Sequence, residues 1–129
     1  MRGGLTLNGA ANPAPRRNFP WGITLGGDEA NLKRAPLRGP QPVGSFPADT
    51  SPYGVVDLAG NVNEWIGSAP TGDPDPARFF RETTRLVRGG DWSDTEPDDL
   101  VGFTPIENER PGDTRSYAIG FRCVTPPAP

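Results

Sequence analysis

Apolar and polar positions alternate only in short stretches along this chain, and turn residues break each stretch within a few positions. "VNEWI" at residues 62–66 sets Val62, Glu64 and Ile66 against Asn63 and Trp65, the two-residue period of a strand. "RLVRGG" reads as a strand ended by a glycine pair, and "IGFRCV" at 119–124 is the strongest strand signal in the sequence. "PVGSF" is a further short strand candidate. "FPWG" predicts a Pro-Trp-Gly turn with Trp21 plugging the edge of the core, and Pro52, Tyr53 and Gly54 predict a second turn. Helical signal is confined to one possible turn over Asp28, Glu29, Ala30, Asn31 and Leu32. The aromatic residues stand singly beside turns, as anchors in a loop-rich fold. Short strands, long connections and little helix predict an irregular α+β domain. No period of repetition is present.

Composition sharpens that picture. The 129 residues suit one domain with a modest core, and 33% of them are hydrophobic. Seventeen Gly and 17 Pro would fit a disordered chain, but three Trp, six Phe and two Tyr supply anchors for a folded one. The ends, "NGAANPAPRR" and "TPPAP", have little to bury and read as disordered. A net charge of −3 offers no basic face to nucleic acid. No apolar run is long enough for a membrane span, and "MRGGLTLNGA" lacks the apolar segment of a signal peptide. These features leave the compartment open. One cysteine, Cys123, allows no internal disulfide. The absence of histidine excludes imidazole acid/base chemistry, imidazole metal ligands and Ser-His-Asp triads. A metal held by these residues would be a hard one that takes oxygen ligands.

"DLAGNVNEWIGS" at 57–68 concentrates candidate chemistry, with two carboxylates, two carboxamides, a glycine and a tryptophan in a few positions. Asp57 and Glu64 with intervening carbonyls could surround Ca²⁺. Equally, Asp57 and Asn61 could satisfy backbone groups of a turn while Trp65 fills the core. "DWSDTEPDD" gathers Asp91, Asp94, Glu96, Asp98 and Asp99, either as paired acid/base groups or as a solvated charged loop.

Taken in order, "FPWG", "AN", "PVGSFP", "SPYGVVDLAGNVNEW", "RLVRGGDW" and "IGFRC" resemble the sulfatase-modifying-factor family, the formylglycine-generating-enzyme-like domain. The resemblance covers about residues 19–124 and implies a C-type-lectin-like fold of short antiparallel strands. The family's main helical motif, "EAEWEYA", is missing, so the resemblance implies the C-terminal half of the domain, truncated or started late as in a gene fragment, and the family's distribution implies a bacterial origin. The expected organisation is an irregular lead-in at 1–18, the family domain at 19–124 and a disordered tail at 125–129.

The resemblance also assigns residues. It implies a calcium site with ligands at Asp57, Gly60, Val62 and Glu64. A second calcium site would begin at Asn31 and the Leu32 carbonyl, but Lys33, Arg34 and Arg38 stand where carboxylates would help, and its loss is expected. The enzymes of the family oxidise a substrate cysteine with O₂ and copper held by two thiolates. Those two positions fall on Asp94 and Asp99, Asp91 replaces a hydroxyl residue, and copper is not expected. Cys123 is expected on the inward face of a buried strand. Arg122 is expected to pair with a buried carboxylate, and Arg115 to face a ligand. The family's sulfoxide synthases add a His-rich domain that this polypeptide, taken alone, does not have.

Two functions follow as expectations. The first is a non-catalytic pseudoenzyme, a Ca²⁺-stabilised scaffold that binds a peptide, protein or carbohydrate through the surface at 91–117. Its candidate contacts are Trp92, Phe103, Arg115 and Tyr117. The second is an oxidoreductase of the same family acting on protein cysteine. A retroelement-diversified ligand-binding protein of the same fold is a variant of the first, although the expected Asn pairs are absent.

Overall fold

The structure, a computed structural model, describes residues 5–15, 17–33, 37–66, 83–94 and 109–123. Among them are six short strands and no helix. β1 (Thr6–Leu7) and β2 (Ala10–Ala11) form an antiparallel hairpin inside the stretch expected to be an irregular lead-in. Asn8 and Gly9 lie between them with φ of 51° and 82°, the two left-handed residues of a tight hairpin turn. The Asn-Gly pair was legible as a hairpin signal, although the flanking strands are too short to show alternation.

The main sheet holds β3 (Asn63–Trp65), β4 (Thr84–Arg88), β5 (Glu109–Pro111) and β6 (Ile119–Gly120) in the order β5-β4-β3-β6. β4 runs antiparallel to both of its neighbours, pairing Glu64 with Arg88 and Leu86 with Glu109. β6 runs parallel to β3, with Asn63 beside Ile119 and Glu64 beside Gly120. The sheet is therefore mixed, where antiparallel strands were expected throughout. Pro111, which has no N–H to donate, occupies an edge strand as its chemistry requires.

Three local expectations change. Residues 42–46 form no strand; the Ser45 amide and hydroxyl both donate to the Pro42 carbonyl and close a turn. Residues 28–32 form bends rather than a helical turn, and Asn31 makes an isolated parallel bridge to Gly60. The 119–124 signal yields a strand only at Ile119–Gly120. The turn at 52–54 is present: Gly54 donates to Ser51, and Ser51 donates back to Val55.

The core lies under the "FPWG" turn. Phe19, Ala30, Leu32 and Ala59 are buried together, with Trp21 and Leu25 packed against them. Phe19 and Trp21 stack with ring centroids 5.1 Å apart and planes 5° from parallel, so Trp21 does seal the core edge. Leu86 and Val87 of β4 and Asn63 of β3 are the buried residues of the sheet.

Candidate functional site

The loop that leads into β3 is built on three left-handed residues, Asp57, Gly60 and Asn61, with φ of 52°, 74° and 68°. Gly60 is also pressed against the neighbouring segment: a Cβ there would lie 2.4 Å from the Asn31 carbonyl oxygen and 2.6 Å from Leu32 Cδ2. Asn61 holds three segments together. Its Oδ1 accepts from Asn31 Nδ2 at 2.9 Å and from the Gln41 amide at 2.7 Å, and its Nδ2 donates to the Gln41 carbonyl. The Asn61 backbone adds a bond to Asn31 and accepts one from the Trp92 amide. Asn31 is 1% exposed and also donates to Gly39, so it acts here as a tie between loops.

Asp57, Gly60, Val62 and Glu64, the four residues assigned to calcium, all line one cleft of about 200 Å³. Val43, Val56, Phe121 and Arg122 complete much of its wall. Asp57 Oδ2 accepts from the Gly44 amide at 2.7 Å, which is the turn-capping role weighed from sequence. Glu64 meets Arg122 in a two-pronged pair, Nε to Oε2 at 2.6 Å and Nη2 to Oε1 at 2.5 Å. The same guanidinium donates to the carbonyls of Val56 at 3.0 Å and Asp57 at 2.8 Å. The hydrogen bond that Arg122 donates to Glu64 raises the Arg122 pKa above its ordinary range.

The residue types suit a hard cation in kind, with the carboxylate-bearing Asp57 and Glu64 lining one cleft. Among the described residues no group of three or more His, Cys, Asp or Glu side chains converges, so carbonyls would have to complete the coordination. Behind the loop lies Asp49, 1% exposed, whose Oδ2 accepts from the Ala59 amide at 2.8 Å while Oδ1 has no hydrogen-bond partner. Burial pushes its pKa up to about 6; the amides of Ala59 and Leu58 oppose the rise, nearby Asp57 adds to it, and Arg122 lowers it.

Asp91 and Asp94, the described acidic residues after β4, both accept hydrogen bonds within the chain. Asp91 Oδ1 accepts from the Ser93 amide and hydroxyl, and Asp91 Oδ2 accepts from Asn63 Nδ2 at 3.1 Å. Asp94 Oδ2 accepts from the Asp91 amide at 2.7 Å. Asp94 thus closes a turn; Asp99, Glu96 and Asp98 lie outside the described residues. Trp92 is half-buried, and its ring centroid lies 6.0 Å from that of Tyr117, which is 76% exposed. Arg115 is exposed, and Phe103 lies outside the described residues.

Cys123 is exposed, not inward as expected. The strand ends at Gly120, and Arg122 turns inward to Glu64, leaving Phe121 and Cys123 on the exposed side. Asn61 and Asp49 carry more of the site than sequence reasoning gave them. Asn61 was visible as a turn residue; nothing in the local sequence marks Asp49 as buried.

Residues 6–127 match the family described as the sulfatase-modifying factor enzyme 1-like domain. The chain is 35% identical to a hercynine oxygenase of Mycolicibacterium smegmatis over 99 residues, covering 60% of this chain and 21% of that protein. It is 30% identical to the inactive C-alpha-formylglycine-generating enzyme 2 of Mus musculus over 122 residues, covering 83% of this chain and 36% of that protein. The Bos taurus protein of the same name is 31% identical over 121 residues, at 83% and 37% coverage. The chain thus spans between a fifth and two fifths of the length of these relatives.

Proposed function

The chain belongs to the sulfatase-modifying factor enzyme 1-like domain family, and on that premise we propose that it is a non-catalytic binding scaffold with a C-type-lectin-like frame. The observation that carries this reading is Asp94. It stands at one of the two positions that hold the copper thiolates in the enzymes this chain resembles, and its carboxylate is used to cap the Asp91 amide. A carboxylate is a poor ligand for Cu(I), which favours soft sulfur donors. The chain's one thiol, Cys123, lies instead past the end of β6. The relatives named inactive give the same reading support from outside the chain.

In this reading the Asp57–Glu64 loop holds Ca²⁺ through the two side chains and the carbonyls of Gly60 and Val62, and the ion would tie the loop to β3. The ligand, a peptide, protein or carbohydrate, meets the surface at 91–117 through Trp92, Arg115 and Tyr117; Phe103, the remaining candidate, lies outside the described residues. Two measurements test the proposal. Calcium at roughly ten times its Kd should raise the melting temperature by a few degrees, since mass action then adds about 1.4 kcal/mol. Asp57→Ala should abolish that rise, and an unmoved melting temperature in the parent chain would remove calcium from the reading.

The hercynine oxygenase match favours a second reading, in which this sequence forms part of an O₂-consuming enzyme. Copper binding with O₂ uptake on a cysteine-containing peptide, or O₂ uptake on hercynine, would replace the scaffold reading with that one. The expected result is no uptake above the protein-free control with either substrate.

A further inference from the structure

We propose that Arg85 and Arg110, set side by side across the outer strand pair of the sheet, bind a phosphate-type oxyanion. Their cleft shares no lining residue with that of Asp57 and Glu64. It also uses none of Trp92, Phe103, Arg115 or Tyr117, so its failure would leave the scaffold reading untouched. The observation that carries it is the register of β4 and β5, which places Arg85 directly opposite Arg110. Cross-strand partners hold their Cβ atoms roughly 4.5–5.5 Å apart on one face, and like charges so placed repel. The other ladder of β4 does the reverse, with Arg88 opposite Glu64. Glu109 is not placed to relieve the pair, because it lies opposite Leu86 and alternation turns it to the other face.

The two side chains stand where a ligand can reach them. Arg110 is exposed on the edge strand, and Arg85 is half-buried beside it. Thr83, Arg85, Pro111, Gly112 and Asp113 line an open cleft of about 430 Å³. The Gly112 amide donates to the Thr83 carbonyl at 2.8 Å and fixes the floor of this cleft. A Cβ at Gly112 would lie 3.6 Å from Arg85 Cγ and 3.8 Å from its Cζ, so the arginine side chain runs along the glycine. Arg85 Nη1 donates to the Thr84 carbonyl and Arg110 Nη1 to the Glu109 carbonyl, both at 2.9 Å. Each guanidinium is thus tied at one corner to its own strand, which reduces the freedom lost when a ligand binds. The planar fork of five N–H donors suits the oxygens of a phosphate group.

Charge selects the ligand class. Two guanidiniums match a dianion better than the single charge of a carboxylate, and a phosphate group carries about −1.5 to −2 near pH 7. Asp113, exposed on the same cleft, opposes such a ligand, and salt screens charges that face water. Binding is therefore expected with a Kd on the order of millimolar, as exposed ion pairs are individually weak. The chemistry recognised is that of the phosphate group, whether as the free ion or as a monoester.

The test is calorimetric titration of the full 129-residue chain with inorganic phosphate and with phenyl phosphate, ionic strength being held constant with NaCl. The parent should bind phosphate and melt at a higher temperature in phosphate than in NaCl. Arg110→Gln should weaken binding about tenfold or more, as the loss of a charge-assisted bond does. Arg38→Gln, a change at an exposed arginine outside the cleft, should leave binding as in the parent. Equal weakening by the two substitutions would reduce the effect to net charge and overturn the site. Phosphate that binds no better than chloride would overturn it too. Binding of both probes supports a site open to monoesters, and binding of inorganic phosphate alone supports a site for the free ion. Should Arg110→Gln fail to fold, the Nε–H resonances of Arg85 and Arg110 in the parent chain decide. Both should shift in step with phosphate saturation; resonances unmoved at saturation would overturn the proposal.

Discussion

Asp49 is the residue whose setting departs most from water. Its side chain is buried, one oxygen caps the Ala59 amide, and the other has no partner. Burial holds its pKa near 6 against an ordinary value of 3.8. A raised folded-state pKa means the native state prefers the neutral acid. The stabilisation is complete below about pH 3.8 and is lost as pH rises through 6, and the difference amounts to roughly 3 kcal/mol. Asp49→Asn keeps an acceptor for the Ala59 amide without the charge. Urea denaturation across this pH range should show the parent losing stability as Asp49 ionises, relative to Asp49→Asn. A difference between the two chains that is flat from pH 4 to pH 8 would refute the assignment of this titration to Asp49.

At the scale of elements, the loop at 57–61 carries the tightest constraint in the described structure. Gly60→Ala would place a methyl group in a left-handed residue and within 2.4 Å of a backbone oxygen. The conformational cost alone is about 1–2 kcal/mol, and the backbone contact adds to it. We expect a loss of about 3 kcal/mol or more in chemical denaturation, with Asn61→Ala costing less because the buried Asn31 amide keeps its bond to the Gly39 carbonyl. Part of this was legible in "DLAGN", where Gly and Asn announce left-handed backbone. The hairpin at Asn8-Gly9 was legible in the same way and was outweighed by the apparent disorder of its flanks. β3 and β4 form where "VNEWI" and "RLVRGG" announced strands, although Leu86 and Val87, adjacent in β4, are both buried. Within 119–123 an ion pair 58 residues apart in sequence, from Arg122 to Glu64, sets which side of the chain turns inward. Long-range pairing of that kind leaves no local period to read. The parallel course of β6 beside β3 is hidden for the same reason: strand direction depends on the path between strands, not on the side chains within them.

At the scale of the molecule, few apolar side chains are buried among the described residues. Among the described residues the buried hydrophobic set is Phe19, Ala30, Leu32, Ala59, Leu86 and Val87, and two of these six are alanine. Family and order of segments were legible because the "FPWG", "GNVNEW", "RGGDW" and "GFRC" anchors keep their sequence order; the size of the core was not, since burial depends on which anchors meet. Phe19 is the largest of the buried side chains, 2% exposed and stacked on Trp21. Removing a buried Phe ring costs about 3–5 kcal/mol, while a domain of ordinary stability holds about 5–15 kcal/mol in all. Phe19→Ala should therefore leave a substantial unfolded fraction at 25 °C, visible as lost near-ultraviolet circular dichroism from Trp21. Calcium added to saturation should restore little of that signal, because an ion in the 57–64 loop, as proposed above, would not refill the space beneath the "FPWG" turn. A Phe19→Ala chain that keeps its near-ultraviolet spectrum and its urea midpoint would show that the cluster around Phe19 does not carry the fold.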